Sequence, residues 1–191
     1  MNSLKKISNW GISVPVHRFF SHLKKGNGMK EIERKWLVGP KSLPEKLGAY
    51  SHKEFAVGYF EVEDGKDVRI RREGSEYYKV KKSGRGLVRE VGSGDIEITK
   101  KEFFSLWPKT KGRRLWKRRY YIPLGGLVIE LDMYYDFKGL YTVEIEFKTV
   151  GSANKFTPLE WFGREVTNDS RYSSNSLATN GLPKRRSRVR R

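Results

Sequence analysis

Lys30-Glu31-Ile32-Glu33-Arg34-Lys35-Trp36-Leu37-Val38 is the stretch on which the fold turns. In a β-strand, successive side chains point to opposite faces. Glu31, Glu33 and Lys35 then share one face, and Ile32, Arg34, Trp36 and Val38 share the other. Two carboxylates beside an ammonium suit a hard divalent cation, which takes oxygen ligands, with an anion held next to it. A solvated strand face carrying an ordinary ion pair explains this stretch equally well when it is taken alone. The rest of the chain separates the two readings, because the same sorting of charge recurs.

Asp67–Glu73 alternates to put Arg69 and Arg71 on one face and Val68, Ile70 and Arg72 on the other. Arg114–Pro123 places Lys117, Arg119 and Tyr121 together. Leu127–Tyr134 gives the cleanest alternation, with Leu127, Ile129, Leu131 and Met133 against Val128, Glu130, Asp132 and Tyr134. Thr142–Thr149 sets Val143, Ile145 and Phe147 against Glu144, Glu146 and Lys148. Further strands are predicted at Glu54–Glu63 and Glu76–Lys82. A strand from Arg85 to Ile98 is expected to be interrupted at Gly92-Ser93-Gly94. Short helices are predicted over Ser42–Gly48, from the capping box Thr99-Lys100-Lys101-Glu102 to Trp107, from a second capping box Thr157-Pro158-Leu159-Glu160, and over Ser173–Ala178.

These pieces predict an α+β, mainly β protein: an eight-stranded antiparallel β-barrel with short peripheral helices. An open sheet would leave all the charged faces in bulk water and would not account for basic strands alternating with acidic ones. Closure brings the acidic strands opposite the basic strands across a lumen. The outer apolar faces are then covered by Phe103, Phe104, Leu106, Trp107, Trp161 and Phe162. A lumen lined this way holds an anion along its basic walls and cations along its acidic wall.

The 191-residue chain suits one domain with extensions. A hydrophobic content of 37% with 13% aromatics marks a folded protein. It contains no cysteine, which excludes disulfide and thiolate chemistry and is consistent with a cytoplasmic location. No run approaches the roughly 18 apolar residues of a membrane-spanning helix, so no membrane partner is expected. The net charge of +18 points to anionic partners. Eleven of those charges lie at the ends, on residues 1–28 and 184–191, which carry no acids. Residues 1–28 read as an N-terminal extension, disordered or preceding a true start at Met29. Residues 184–191 read as a basic tail. A solubilising tail is the plainer reading of these ends, with a weak polyanion or nucleic-acid contact as the alternative. Oligomeric state is left open between monomer and homodimer.

Glu31-Ile32-Glu33-Arg34-Lys35 resembles the ExExK signature of the CYTH superfamily, the triphosphate tunnel metalloenzymes. It is joined, in matching order, by Arg69-Ile70-Arg71, Arg119-Tyr120, Glu130-Leu131-Asp132, Glu144-Ile145-Glu146 and a closing Glu165–Tyr172 stretch. Leu106-Trp107-Pro108 and Gly112-Arg113-Arg114 resemble the bacterial branch. The resemblance spans about residues 29–182, leaves out both basic ends, and implies a tunnel domain over 29–183. It implies metal-dependent hydrolysis of a triphosphate, with inorganic tripolyphosphate as the small-molecule substrate and Mg²⁺ or Mn²⁺ as the cofactor.

Carried over residue by residue, the resemblance assigns Glu31, Glu33, Asp132, Glu144 and Glu146 to metal. It assigns Lys35, Arg69, Arg71, Lys82, Lys117, Arg119, Glu130 and Arg171 to substrate, with Lys35, Glu33 and Glu146 closest to catalysis. Lys79 and Lys81 compete with Lys82 for the one lysine the family shows there; alignment on Ser83 favours Lys82. The interruption after Arg89 departs from the family pattern. His17, His22 and His52 lie outside all these patterns.

The chemistry agrees with the charges. A triphosphate carries about four negative charges near neutral pH. Guanidinium forks match phosphate oxygens, and charge neutralisation lowers the barrier to attack. The alternatives are a thiamine triphosphatase, a nucleoside or RNA triphosphatase, a class IV adenylate cyclase, or a polyphosphate-binding module without turnover. The last is disfavoured because uncompensated acids would repel its ligand.

Overall fold

The computed structural model describes residues 29–60, 66–83 and 86–184. The expectations for residues 1–28 and for Arg185–Arg191 lie outside the described residues. Eight strands form a closed antiparallel barrel: β1 (Met29–Val38), β2 (His52–Tyr59), β3 (Lys66–Glu73), β4 (Glu76–Ser83), β5 (Val88–Glu97), β6 (Arg114–Leu124), β7 (Leu127–Tyr134) and β8 (Tyr141–Phe147). Around the barrel they run β1-β5-β4-β3-β2-β6-β7-β8. The predicted break in β5 does not occur in the backbone. The strand continues through Gly92-Ser93-Gly94, and its ladder with β4 takes the irregularity as a register shift between Val80 and Lys82.

Among the described residues, three short α-helices accompany the barrel: α1 (Lys100–Leu106), α2 (Val150–Lys155) and α3 (Ser174–Asn180). The capping box opening α1 forms as expected: Glu102 N–H donates to the Thr99 hydroxyl, and Thr99 N–H donates to the Glu102 carboxylate. The predicted helix over Ser42–Gly48 resolves into two separate 3₁₀ turns, Pro40–Ser42 and Leu47–Ala49. The helix expected from Thr157 does not form. A helix forms earlier instead, just past the end of β8, where Thr149 caps α2 through Ser152. Residues 156–162 run as an irregular strap whose Phe156 and Phe162 rings pack on Trp36 at 5.8 and 5.1 Å. Seating two aromatic rings on one tryptophan requires the strap to follow the sheet surface, which overrides the local capping signal.

The main core lies outside the barrel wall. Trp36, Val38, Ile129, Leu131, Val143, Ile145 and Phe147 are buried between β1, β7 and β8 and the layer of α2 and the strap. Arg34 locks this layer. Its guanidinium donates to the carbonyls of Ala153 and Phe156 at the end of α2, and pairs with Glu165 at 2.6 Å. A cation at a helix C-terminus also complements the helix dipole.

The staggered register leaves the second half of β1 without β5, which pairs it only over Met29–Ile32. Residues 163–167 fill that seam. Leu37 N–H donates to Arg164 O, Val166 N–H donates to Lys35 O, and Gly163 N–H donates to Leu37 O at 2.8 Å. A Cβ on Gly163 would stand 2.8 Å from that same carbonyl, so the close approach requires glycine. The seam segment delivers α3 to the barrel end where β2 finishes and β6 begins. There Leu177 is buried with Leu115 and Tyr134, and Ala178 packs on Phe55, Val57 and Tyr59. Burying one such leucine contributes about 1.5–3 kcal/mol. Among the described residues the barrel is thus a cup, with an apolar floor of α3 and a mouth at the opposite end. Among the described residues, no helix is long and apolar enough to cross a membrane.

Candidate active site

The inward faces of β1, β6, β7 and β8 meet in one network of charge. Asp132, fully buried, sits at its centre. Arg119 donates through Nε to Asp132 Oδ1 at 2.6 Å and through Nη2 to Oδ2 at 2.7 Å. Lys117 reaches the same carboxylate at 2.5 Å. Arg119 also donates to Glu144 at 2.6 Å and to Glu130. Lys35 pairs with Glu144 at 2.9 Å. Sheet register makes this network: Arg119 is the cross-strand partner of Asp132, and Glu144 is the partner of both Lys35 and Glu130. Like charges placed opposite one another on a sheet repel, so Glu130 and Glu144 require the guanidinium between them.

The ionisation of these groups follows. Burial opposes charge on Arg119, but Asp132, Glu130 and Glu144 hold it firmly protonated. Burial likewise works against the Lys35 ammonium, and Glu144, Tyr134 and Asp132 outweigh it. Glu144 is held well below the usual carboxylate range by Lys35, Arg119 and Lys117, against its burial. Asp132 is also held low, by Arg119 and Lys117. Glu130 has fewer cations around it. Burial pushes it up to about 7, and Glu144 and Asp132 add to the shift that Arg119 resists.

Nearer the mouth, Glu33 and Glu146 are cross-strand partners on β1 and β8. Arg89, the partner of Glu31 on β5, donates to Glu33 at 2.6 Å and stands 3.5 Å from Glu31. Arg71 on β3 pairs with Asp95 at 2.7 Å and with Glu73 at 2.9 Å. Arg69 lies deeper, its charged form favoured by Tyr59, Asp67, Asp95 and Glu31 against the effect of burial. Its guanidinium carbon is 5.9 Å from the Tyr59 ring centroid. Phe55 stands among the cations, with Lys117, Arg119 and Arg71 at 5.5, 5.6 and 5.8 Å from its ring. An aromatic face attracts positive charge and gives these side chains a neutral wall to rest on.

The structure therefore brings Lys35, Lys117, Arg119, Glu130, Asp132 and Glu144 into one network. Glu31 and Glu33 gather around Arg89, and Glu146 lies opposite Glu33. Arg171 stands apart: it is exposed and pairs with Asp169 at 2.7 Å, in an open surface recess of about 590 Å³ lined by Glu165, Thr167 and Asn168–Arg171. The Lys82 side chain lies outside the described residues. Arg89 and Phe55 stand among these charged groups without having been assigned from the sequence. Arg89 could have been found from the need for a basic residue opposite Glu31. Phe55 could not, because both faces of Phe55–Tyr59 are apolar or small and alternation does not choose between them.

A divalent cation of the hard class takes oxygen ligands. Glu31, Glu33 and Glu146 offer hard oxygen ligands on adjacent strands, and the direct opposition of Glu33 and Glu146 calls for positive charge between them. Asp132 and Glu144 carry the same chemistry, but their oxygens already accept from arginine and lysine. Among the described residues, no three acids or imidazoles stand close enough to form a ready-made cage.

No family model matches the chain. Over 153 residues it is 39% identical to the inorganic triphosphatase of Nitrosomonas europaea, covering 78% of this chain and 97% of that protein. The inorganic triphosphatase of Acetivibrio thermocellus is 29% identical over 159 residues, 79% of this chain and 94% of that protein. A crystal structure of an inorganic triphosphatase aligns over 83% of this chain and 100% of that chain, at 35% identity and a TM-score of 0.61. A putative adenylate cyclase from Bacillus halodurans, 20% identical, shares the fold at a TM-score of 0.50 over 65% of this chain and 85% of that one. A closed antiparallel barrel with acids and bases sorted across its lumen, joined to this level of identity, places the chain in the CYTH superfamily, the triphosphate tunnel metalloenzymes.

Proposed function

We propose that this chain hydrolyses a triphosphate, with inorganic tripolyphosphate as the substrate, in a reaction that requires Mg²⁺ or Mn²⁺. The observation that carries the reading is the pairing of Glu33 with Glu146 across the β1–β8 ladder, close to a basic wall of Lys35, Arg119, Arg69 and Arg71. Acids opposed at the mouth and bases behind them suit a cation–polyanion complex better than either ion alone. The names of the relatives from Nitrosomonas europaea and Acetivibrio thermocellus agree with this substrate.

The apolar floor makes the mouth the route of entry. Arg69, Arg71, Lys117 and Arg119 bind the phosphate chain, and Lys35 holds an oxygen of the phosphate that is cut. Asp132 orients Arg119 and Lys117 so that their remaining N–H groups face the lumen. Glu31, Glu33 and Glu146 would hold the cation, with Glu144 joining once Lys35 turns to phosphate. When bound, one or two divalent cations supply charge neutralisation and electrostatic activation of the attacking water. Water attacks the terminal phosphorus in line. The basic wall stabilises the charge that builds on the leaving diphosphate.

Phosphate release from tripolyphosphate, ATP, thiamine triphosphate and long-chain polyphosphate, each with Mg²⁺ and with Mn²⁺, tests the reading. Tripolyphosphate is expected to turn over fastest. Release from an organic triphosphate alone would move the assignment to another activity of the superfamily. No release from any of them would leave a binding module.

A further inference from the structure

Arg89 holds Glu31 and Glu33, two of the acids that the proposed reaction assigns to the cation. We propose that Arg89 is an exchangeable internal counter-ion. It occupies these carboxylates in the ligand-free chain, gives them up when a divalent cation arrives, and then turns to the phosphate chain. This rests on the reading of Glu31, Glu33 and Glu146 as the cation-holding set.

The manner of its hold favours exchange. Arg89 reaches Glu33 at 2.6 Å through one nitrogen, and Glu31 at 3.5 Å through the same nitrogen. Its Nε is buried and has no hydrogen-bond partner among the described residues. Arg119 is held differently: its Nε, Nη1 and Nη2 all donate, to three carboxylates, one of them fully buried. Releasing Arg119 would strand Asp132. Releasing Arg89 strands nothing once a cation covers Glu31 and Glu33.

A second guanidinium points to where Arg89 goes. Arg69 also has a buried Nε without a hydrogen-bond partner among the described residues, and its charge disfavours that of Arg89. A buried donor left unmet is unfavourable, and so are two like charges sharing one space. An anion between Arg69 and Arg89 relieves both. Cation and triphosphate then each remove an obstacle to the other. Binding of either one tightens binding of the other, and the coupling is reciprocal.

The test is Mn²⁺ binding to the full chain without any phosphate, read from the electron paramagnetic resonance signal of unbound Mn²⁺. Arg89→Gln removes the competing charge and is expected to bind Mn²⁺ on the order of tenfold more tightly than wild type. Arg89→Lys keeps the charge but replaces the fork with a single ammonium, so its affinity should fall between the two. Circular dichroism checks that each variant is folded. Wild-type or weaker Mn²⁺ affinity in either folded Arg89 variant overturns the proposal. Glu33→Gln separates this from failure of the cation site itself. If Glu33→Gln loses Mn²⁺ while the Arg89 variants match wild type, only the counter-ion role falls. If no form binds Mn²⁺, the cation-site reading falls and takes the proposal with it.

Discussion

Arg119 and Asp132 are register partners on β6 and β7, and they close a two-point ion pair at 2.6 and 2.7 Å in the interior of the barrel. The aspartate is fully buried and also accepts from Lys117. One acid thus fixes the orientation of two cations on the basic wall. The pair holds the lumen's geometry as well as its charge.

Removing that acid leaves two buried cations without their main partner. Asp132→Ala is expected to destabilise the protein by about 3–5 kcal/mol, the usual result of breaking a buried pair from one side. The midpoint of urea unfolding measures it. A loss of less than about 1 kcal/mol, the scale of a surface pair, would mean that the pair is solvated and the lumen is open around it.

Two lumen residues should fail in different ways. Arg69→Ala is expected to raise KM for tripolyphosphate and also to lower kcat, because charge grows on the phosphates as the bond breaks. Glu146→Ala is expected to lower kcat and to raise the concentration of divalent cation needed for half-maximal rate, with a smaller change in KM. Wild-type kinetics in both variants would put these faces outside the site.

Lys117 is expected to set an alkaline limit on substrate binding. Burial and the neighbouring Arg119 push its ammonium down to about 8 from the ordinary 10.5, against the pull of Asp132 and Glu144. The charged form is therefore less favourable in the fold than in the unfolded chain. This group costs stability below pH 8, and that cost is relieved as the pH rises from about 8 toward 10.5. Over the same range the lumen loses a positive charge. KM for tripolyphosphate should therefore climb above pH 8 in wild type and stay flatter in Lys117→Arg, whose guanidinium remains charged. Equal pH profiles for the two proteins would assign the limb to the substrate.

The basic ends are expected to be dispensable for turnover. A chain of residues 29–183 should fold and hydrolyse tripolyphosphate at a rate close to that of the full chain, since the lumen's own cations suffice for three phosphates. Lys184–Arg191 should matter for long polyanions, whose binding weakens with salt as counterions are released. Its removal should lower retention on heparin and flatten the salt dependence of RNA binding. A folded 29–183 chain without activity would place one of the ends in the site.

Much of this was legible in the sequence, for a physical reason. A strand with one wet, charged face and one apolar face writes its period of two directly into the chain. Leu127–Tyr134 forms β7 with the bounds that the alternation predicts. The Thr99–Glu102 box forms because both of its hydrogen bonds are local. Longer-range choices were not legible. The six residues of α2 carry no apolar period, and their helix is fixed by Thr149, by Ser152 and by Arg34 across 119 positions. The closed floor could not be read either, because Leu177 meets Leu115 and Tyr134 from far along the chain. Ion-pair partners were the least legible part of the site. Alternation puts Glu31, Glu33, Asp132 and Glu144 on inward faces, but register and side-chain reach decide that Arg89, Arg119, Lys117 and Lys35 hold them.

The most direct test of the account is phosphate release from tripolyphosphate by the metal-stripped full chain, measured before and after stepwise addition of Mg²⁺ or Mn²⁺. The opposed acids Glu33 and Glu146 predict no turnover in EDTA, recovery on adding the cation back, and little recovery in Glu146→Ala at the same concentration. Turnover that persists in EDTA, or tripolyphosphate left intact in the presence of either cation, would contradict the account.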